Sequence, residues 1–251
     1  MRSVGCLSVL ECVLAAGVAA AAQEAAPDPY ERIYLASRPT LSPDGSKFVF
    51  EWCDGLWLAP TAGGTAEALQ VTVSKDVWPV FAPDGRRVAF QSDRDGGWKI
   101  FELNLADGRT RQLTFHSEGA RPYGWTADGL SLIAVVTRDH DGLGSAERIA
   151  FIPAAERGPE RFPFDTYGNE PCLSPDGRRL LFTREGDDLY RQRFRGSRAS
   201  QIWLYDIETK TFTCLVKRDT ESRTPLWTPD GKGFYYVSGE GGVMNVWRRE
   251  L

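Results

Sequence analysis

The chain has 251 residues, 25% of them charged and 42% hydrophobic, an ordinary balance for a folded soluble protein. A net charge of -4, with a pI near 5.4, speaks against a nucleic-acid partner, because phosphate binding needs a basic face. Its 25 glycines and 15 prolines point to many turns, and 8 Trp, 8 Tyr and 13 Phe supply apolar surface for a core, so an all-β fold is favoured.

Residues 1–22 read as a signal peptide. Arg2 precedes an apolar run that ends Val13 to Ala22, and the small residues Ala20 and Ala22 suit a cut before Gln23. Glu11 interrupts the apolar centre, which keeps an uncleaved N-terminus as the alternative. A lipoprotein anchor at Cys6 or Cys12 fits less well, since Glu11 directly precedes Cys12 and Cys6 lies too near the start. The run is too short for a stable membrane span. Residues 23–36 follow as a linker.

From residue 37 onward the chain repeats. Five segments align: Arg38-Pro-Thr-Leu-Ser-Pro-Asp-Gly45, Trp78-Pro-Val-Phe-Ala-Pro-Asp-Gly85, Pro122-Tyr-Gly-Trp-Thr-Ala-Asp-Gly129, Glu170-Pro-Cys-Leu-Ser-Pro-Asp-Gly177 and Thr224-Pro-Leu-Trp-Thr-Pro-Asp-Gly231. Their aspartates are 40, 44, 48 and 54 residues apart, the period of propeller blades. Each corner has a physical logic. Pro43, Pro83, Pro175 and Pro229 preset φ for the first turn position. Asp44, Asp84, Asp128, Asp176 and Asp230 can accept a local backbone N–H. Gly45, Gly85, Gly129, Gly177 and Gly231 can take a left-handed φ. The third copy has Ala127 in place of proline.

Apolar runs after each corner read as second strands: Phe48–Phe50, Val88–Phe90, Leu132–Val136, Leu180–Phe182 and Phe234–Val237. Consecutive apolar positions indicate sheets covered on both faces. Third strands are expected at Leu56–Leu58, Trp98–Leu103, Arg148–Ile152, Gln201–Tyr205 and Asn245–Trp247, and fourth strands at Ala68–Thr72, Thr110–Thr114 and Thr211–Leu215. The predicted fold is a β-propeller of four-stranded antiparallel blades, at about 37–74, 75–117, 118–165, 166–219 and 220–251, the last incomplete. Ile33–Ala36 offers a strand that would close a five-bladed ring. The simpler expectation is a truncated chain with at least one blade missing, because open edges invite association.

No catalytic or metal site emerges. His116 and His140 lack any motif serine, and Gly144-Ser-Ala after His140 is not a shaped nucleophile turn. Arg138-Asp-His-Asp-Gly142 places carboxylates at alternate positions, but Glu147 falls at the wrong spacing for a calcium loop. Three cysteines remain after residue 22, Cys53, Cys172 and Cys214, and their spacing suggests neither a disulfide framework nor a zinc site. No cofactor is expected. One connection stands out, Glu185 to Ser200, with Arg191, Arg193, Arg195 and Arg198 as a candidate partner-binding loop, since guanidinium forks pair with carboxylates.

The Ser/Ala/Thr-Pro-Asp-Gly hairpins resemble the WD-like repeat of TolB and of tricorn-type peptidases. Phe90-Gln-Ser-Asp-Arg-Asp-Gly-Gly-Trp-Lys-Ile-Phe101 is close to the common repeat. Tyr190 to Asp206 and Asp54 to Gly64 are similar to the N-terminal propeller of bacterial tricorn-like serine peptidases. That resemblance implies a propeller that binds or guides peptides or protein partners ahead of a C-terminal peptidase module. It implies no catalytic residue in this chain and an exported bacterial location, periplasmic or secreted. The alternatives are a stand-alone TolB-like envelope interaction protein and an enzyme with its site in the propeller channel.

Overall fold

The computed structural model describes residues 36–140, 145–186 and 195–251. The signal-peptide reading lies outside these residues, as do the linker reading up to residue 35, the loop arginines Arg191 and Arg193, and Asp141 to Gly144. The unit Leu35–Leu251 forms five antiparallel sheets, and no helix occurs among the described residues. The first sheet holds β1 (Ser37–Leu41), β2 (Lys47–Trp52), β3 (Gly55–Pro60) and β4 (Glu67–Ala68). The second holds β5 (Asp76–Phe81), β6 (Arg87–Ser92), β7 (Lys99–Asn104) and β8 (Thr110–Gln112). The third holds β9 (Ala120–Trp125), β10 (Ser131–His140) and β11 (Ser145–Pro153). The fourth holds β12 (Asn169–Leu173), β13 (Arg179–Arg184), β14 (Gln201–Asp206) and β15 (Thr211–Val216), and the fifth β16 (Ser222–Trp227), β17 (Gly233–Ser238) and β18 (Asn245–Glu250). Each sheet is a meander in chain order. This is a five-bladed propeller whose last blade has three strands.

The second strands explain the consecutive apolar residues. Val88 and Phe90 of β6 join Val49, Leu56 and Phe81 in the core between blades one and two, while the intervening Ala89 faces blade three. Leu132, Ala134 and Val136 of β10 face blade two, and Ile133 and Val135 face blade four. Leu180 and Phe182 of β13 look back to blade three, and Leu181 forward to blade five beside Ile202 and Phe234. Side chains alternate across a strand, so one strand feeds two separate cores and both sets must be apolar. Phe90, Phe182 and Phe234 are fully buried.

Blades one and three have short fourth strands, the first falling short of the expected Ala68–Thr72. In blade one only Glu67 and Ala68 pair with β3, and Val71 and Val73 stand fully in solvent. In blade three the fourth strand is a single bridge, with Phe151 and Arg161 exchanging N–H···O bonds of 2.8 and 2.9 Å. Pro159 and Pro163 flank Arg161 and have no N–H to extend a ladder.

The blades converge on their first strands. β1, β5, β9, β12 and β16 lie one against the next, and β5, β9, β12 and β16 each also cross strands of the preceding blade. Among the described residues the fourth strands make no such approach to one another, so they mark the outer side. Among the described residues no comparable approach joins the fifth sheet to the first.

Candidate functional site

The convergent first strands carry a repeated irregularity. In four blades an X-Pro pair forms a bulge opposite one residue of the second strand: the pairing skips between Ser37 and Thr40, Val77 and Val80, Asn169 and Cys172, and Arg223 and Leu226. The residue before each proline has a left-handed backbone: Arg38 (φ 47), Trp78 (φ 56), Glu170 (φ 49) and Thr224 (φ 54). This conformation is unfavourable for side-chain-bearing residues, most of all for β-branched threonine. The blade-three bulge is displaced, skipping Tyr123 between Pro122 and Gly124.

The bulge turns a backbone N–H out of its own ladder, and a buried N–H needs an acceptor. For Trp78 and Thr224 the neighbouring blade supplies it, whereas the Glu170 N–H donates to Asn169 Oδ1 (2.7 Å) of its own strand. Trp78 donates its N–H to Glu51 Oε1, and Glu51 also accepts from Arg38 Nη1 (2.8 Å) and Ser37 Oγ (3.2 Å). Thr224 donates its N–H to Glu170 Oε2 (2.8 Å); the same carboxylate accepts from Thr183 Oγ1 (2.7 Å) and from Arg223 Nε and Nη2 (3.1 and 2.9 Å). Between these clusters, Arg121 Nη2 reaches Glu147 Oε1 (3.1 Å) and Asn169 Oδ1 (3.3 Å), and Tyr123 donates its hydroxyl to Asn169 Oδ1 (2.9 Å). Burial raises the Tyr123 phenol well above its ordinary range, with the nearby Glu170 and Glu147 adding to the effect and Arg121 opposing it.

Aromatic and cationic groups stack along the same line. Trp78 lies between Arg38, 4.2 Å from the ring centroid, and Arg121, at 4.8 Å, and its centroid is 5.7 Å from that of Tyr123. One surface therefore links blades one to three through cations over aromatic rings, and blades three to five through carboxylates and arginines. Such a surface presents hydrogen-bonding groups and apolar ring faces side by side, with no nucleophile–base pair among its members.

The five corners sit at the other end of the first strands. In every copy the glycine N–H closes the turn onto the residue three before it, at 2.8 Å for Gly45 to Ser42, 3.0 Å for Gly85 to Ala82, and 2.9 Å for Gly129 to Thr126, Gly177 to Ser174 and Gly231 to Thr228. All five glycines have φ between 65 and 73. The aspartates accept the backbone N–H two residues on, and Asp44, Asp128, Asp176 and Asp230 also accept from a Ser or Thr hydroxyl. These bonds hold Asp44 down to about 2, with the Ser42 hydroxyl as the largest cause, and hold Asp128, Asp176 and Asp230 below the usual carboxylate range in the same way. Ala82 leaves Asp84 without a hydroxyl. There burial pushes upward and is outweighed by the Arg86 amide and the Arg87 guanidinium, 2.7 Å away.

The corners also touch from blade to blade. A Cβ on Gly85 would meet Pro43 at 3.5 Å, on Gly129 Pro83 at 3.8 Å, and on Gly231 Pro175 at 3.7 Å. Gly177, whose preceding blade carries Ala127 instead of proline, has nothing within 4 Å. Proline at the corner thus both shapes its own turn and packs on the next one.

The remaining sequence candidates stay apart. His116 is exposed and its Nδ1 accepts from the Glu118 N–H at 3.1 Å. Cys53 is exposed; Cys172 and Cys214 are partly buried free thiols, each raised by burial. No group of three or more His, Cys, Asp or Glu side chains is placed to hold a metal among the described residues, and no helix there is long and apolar enough to cross a membrane. Of the arginine-rich connection, Arg195 Nη1 pairs with Asp219 at 3.3 Å and the Arg198 carbonyl accepts from Gly186 N–H at 3.0 Å.

A family described as the tricorn protease N-terminal β-propeller domain matches residues 34–251. The chain belongs to that family. Tricorn protease homolog 1 of Streptomyces coelicolor is 27% identical to this propeller over 76% of the chain and 18% of the homologue. The solved tricorn protease shares the fold with a TM-score of 0.66 and 20% identity, covering 88% of this chain and 22% of that one. TolB from Acinetobacter baumannii gives a TM-score of 0.67 and 19% identity over 86% of this propeller and 51% of its own chain. The chain thus spans about a fifth of the length of the tricorn proteins and about half of that TolB.

The bulge network escapes sequence reading because its partners are distant: Glu51 and Trp78 are 27 residues apart, Glu170 and Thr224 are 54. The available signal is the recurrence of a residue–proline pair at the head of every repeat, Arg38-Pro, Trp78-Pro, Arg121-Pro, Glu170-Pro and Thr224-Pro.

Proposed function

We propose that this propeller is a non-catalytic module that binds or guides peptides or protein partners along its convergent first strands, in the service of a tricorn-like peptidase module. The observation that carries the reading is Trp78 between Arg38 and Arg121, with Tyr123 beside it, on the surface where blades one to three meet. Extended peptides engage such surfaces through aromatic contact and charge-assisted hydrogen bonds. Membership of the tricorn N-terminal family favours a peptidase partner. Export from the bacterial cytoplasm is part of the same proposal, supported by the pattern of residues 1–22.

The test is calorimetric titration of unstructured hexapeptides of mixed sequence into the wild-type chain and into Trp78→Ala. Binding that weakens at least tenfold in the variant supports the reading. Equal binding by both proteins places the contact elsewhere, and no binding by the wild type overturns the peptide role. The arginines between Tyr190 and Asp206 are proposed as a second surface for the same purpose, tested by salt-dependent binding that disappears on changing Arg195 and Arg198 together.

A further inference from the structure

At the outer side of blades two and three lies a cavity of about 200 Å³, lined among others by Arg111, Leu113, Phe115, Pro153, Glu156 and Arg157. Three features set its chemistry. Its apolar part includes a ring that is open to solvent, since Phe115 is 55% exposed. Its cation is uncommitted: the Arg157 guanidinium stacks on Phe115 at 5.0 Å and has no carboxylate partner among the described residues. Arg111, by contrast, is held by Glu102 Oε1 at 2.9 Å and by the Ala154 carbonyl.

The third feature is an open strand edge beside the cavity. β8 is the last strand of its sheet. Arg109 C=O accepts from Asn104 N–H (2.9 Å) and Leu113 N–H donates to Ile100 C=O (2.8 Å), so these odd-numbered positions face β7. Antiparallel alternation turns the backbone groups of Thr110 and Gln112 outward. An unpaired edge is a template for an extended chain, with main-chain bonds giving affinity and a neighbouring pocket giving selectivity.

We infer that this groove takes the carboxyl-terminal end of an extended peptide: its backbone adds along β8, its last apolar side chain lies on Phe115 and Pro153, and its terminal carboxylate pairs with Arg157. The cavity volume suits one such residue with its carboxylate. A peptide with a free carboxylate is what hydrolysis of a peptide bond releases, so the site fits the product side of a peptidase. That last point rests on the proposed function; binding at the groove does not. Glu156 beside Arg157 opposes an anion, and its neutralisation should strengthen binding.

The experiment uses the full chain and an N-terminally fluorescein-labelled pentapeptide, Gly-Ser-Ala-Val-Leu, as the free acid and as the carboxamide, read by fluorescence anisotropy. The free acid is expected to bind at least tenfold more tightly than the amide. Arg157→Gln should abolish that difference, Phe115→Ala should weaken both forms, and Glu156→Gln should tighten the acid alone. Circular dichroism confirms that these surface variants fold, and the preference for the acid over the amide should persist in Trp78→Ala even where total binding falls, which separates this groove from the first-strand surface. Equal binding of acid and amide, an Arg157→Gln variant that still prefers the acid, or loss of the acid preference in Trp78→Ala overturns the inference.

Discussion

Arg179 of blade four lies 4.7 Å from the ring centroid of Trp227 in blade five, and its Nη2 donates to the Gly231 carbonyl of the same neighbour at 3.1 Å. Trp227 answers across the joint, its Nε1 donating to the Cys172 carbonyl at 3.0 Å. Blades two and three repeat the arrangement with Arg87 over Trp125 at 5.0 Å, Arg87 Nη2 to Gly129 O at 3.2 Å and Trp125 Nε1 to Val80 O at 3.3 Å. The other two joints lack it. There Lys47 and Ser131 occupy the arginine position, and Phe81 and Leu173 the tryptophan position.

The Arg–Trp joints should therefore show energetic coupling. Trp227→Ala removes a ring that is 6% exposed and should cost about 3–5 kcal/mol. In a double-mutant cycle with Arg179→Ala, the coupling should be about 1 kcal/mol, the size of a partly desolvated cation–π contact. A Ser131–Leu173 cycle should give none. Denaturant melts of the two cycles decide the matter, and equal coupling at both joints would sink the distinction.

Gly168 presents a different constraint, one of space. A Cβ there would stand 2.7 Å from Phe182 Cδ2 and 3.3 Å from Ile149 Cδ1. Phe182 is fully buried between blades three and four, so it has little room to retreat. Gly168→Ala should destabilise the chain by about 1–3 kcal/mol, the usual penalty for overpacking. Gly45→Ala offers a contrast, because nothing lies within 4 Å and only its φ of 68 is strained. The pair Gly168→Ala and Phe182→Leu should recover part of the loss in a thermal melt; no recovery would mean that the ring is not the obstacle.

Acid should weaken the corners. The aspartates have lower pKa values in the folded chain than the ordinary 3.8, Asp44 at about 2. A carboxylate with a depressed folded pKa contributes stability that is complete above its unfolded value and disappears as pH falls through the folded one. The window is accordingly from about 4 down to about 2 for Asp44. Asp44→Asn should be less stable than wild type at about pH 6, and the gap should close as the solution approaches about pH 2. A gap independent of pH would show that the side chain's shape matters there and its charge does not.

These cases show which parts of the molecule a sequence displays. Corners such as Pro43-Asp-Gly45 are legible because proline and glycine carry backbone geometry in their own identity. Consecutive apolar residues such as Leu180, Leu181 and Phe182 disclose burial on both faces without naming the neighbours. The bulges are less legible, because a residue before proline is expected to be extended, and only its blade neighbours show why Trp78 or Thr224 is not. The short fourth strand of blade three lies between these cases: Pro159 and Pro163 are visible, but their effect depends on which side of Arg161 faces Phe151.

Glu170 offers the most direct test of the first-strand network. Its side chain is 11% exposed and that of its partner Arg223 is 13%, so the pair is largely withdrawn from water. Removing one charge from such a pair strands the other, and Glu170→Gln should cost about 3 kcal/mol. The amide oxygen of glutamine can still accept one bond, but Thr183, Thr224 and Arg223 all donate to the native carboxylate. The loss should therefore appear locally as well as globally, with the Thr224 amide exchanging with solvent faster than amides in the core of blade two. Arg223→Gln should produce the same local loosening from the other side of the joint. If Thr224 exchange stays at the wild-type rate in both variants, the carboxylate is not what holds the left-handed bulge of blade five against blade four.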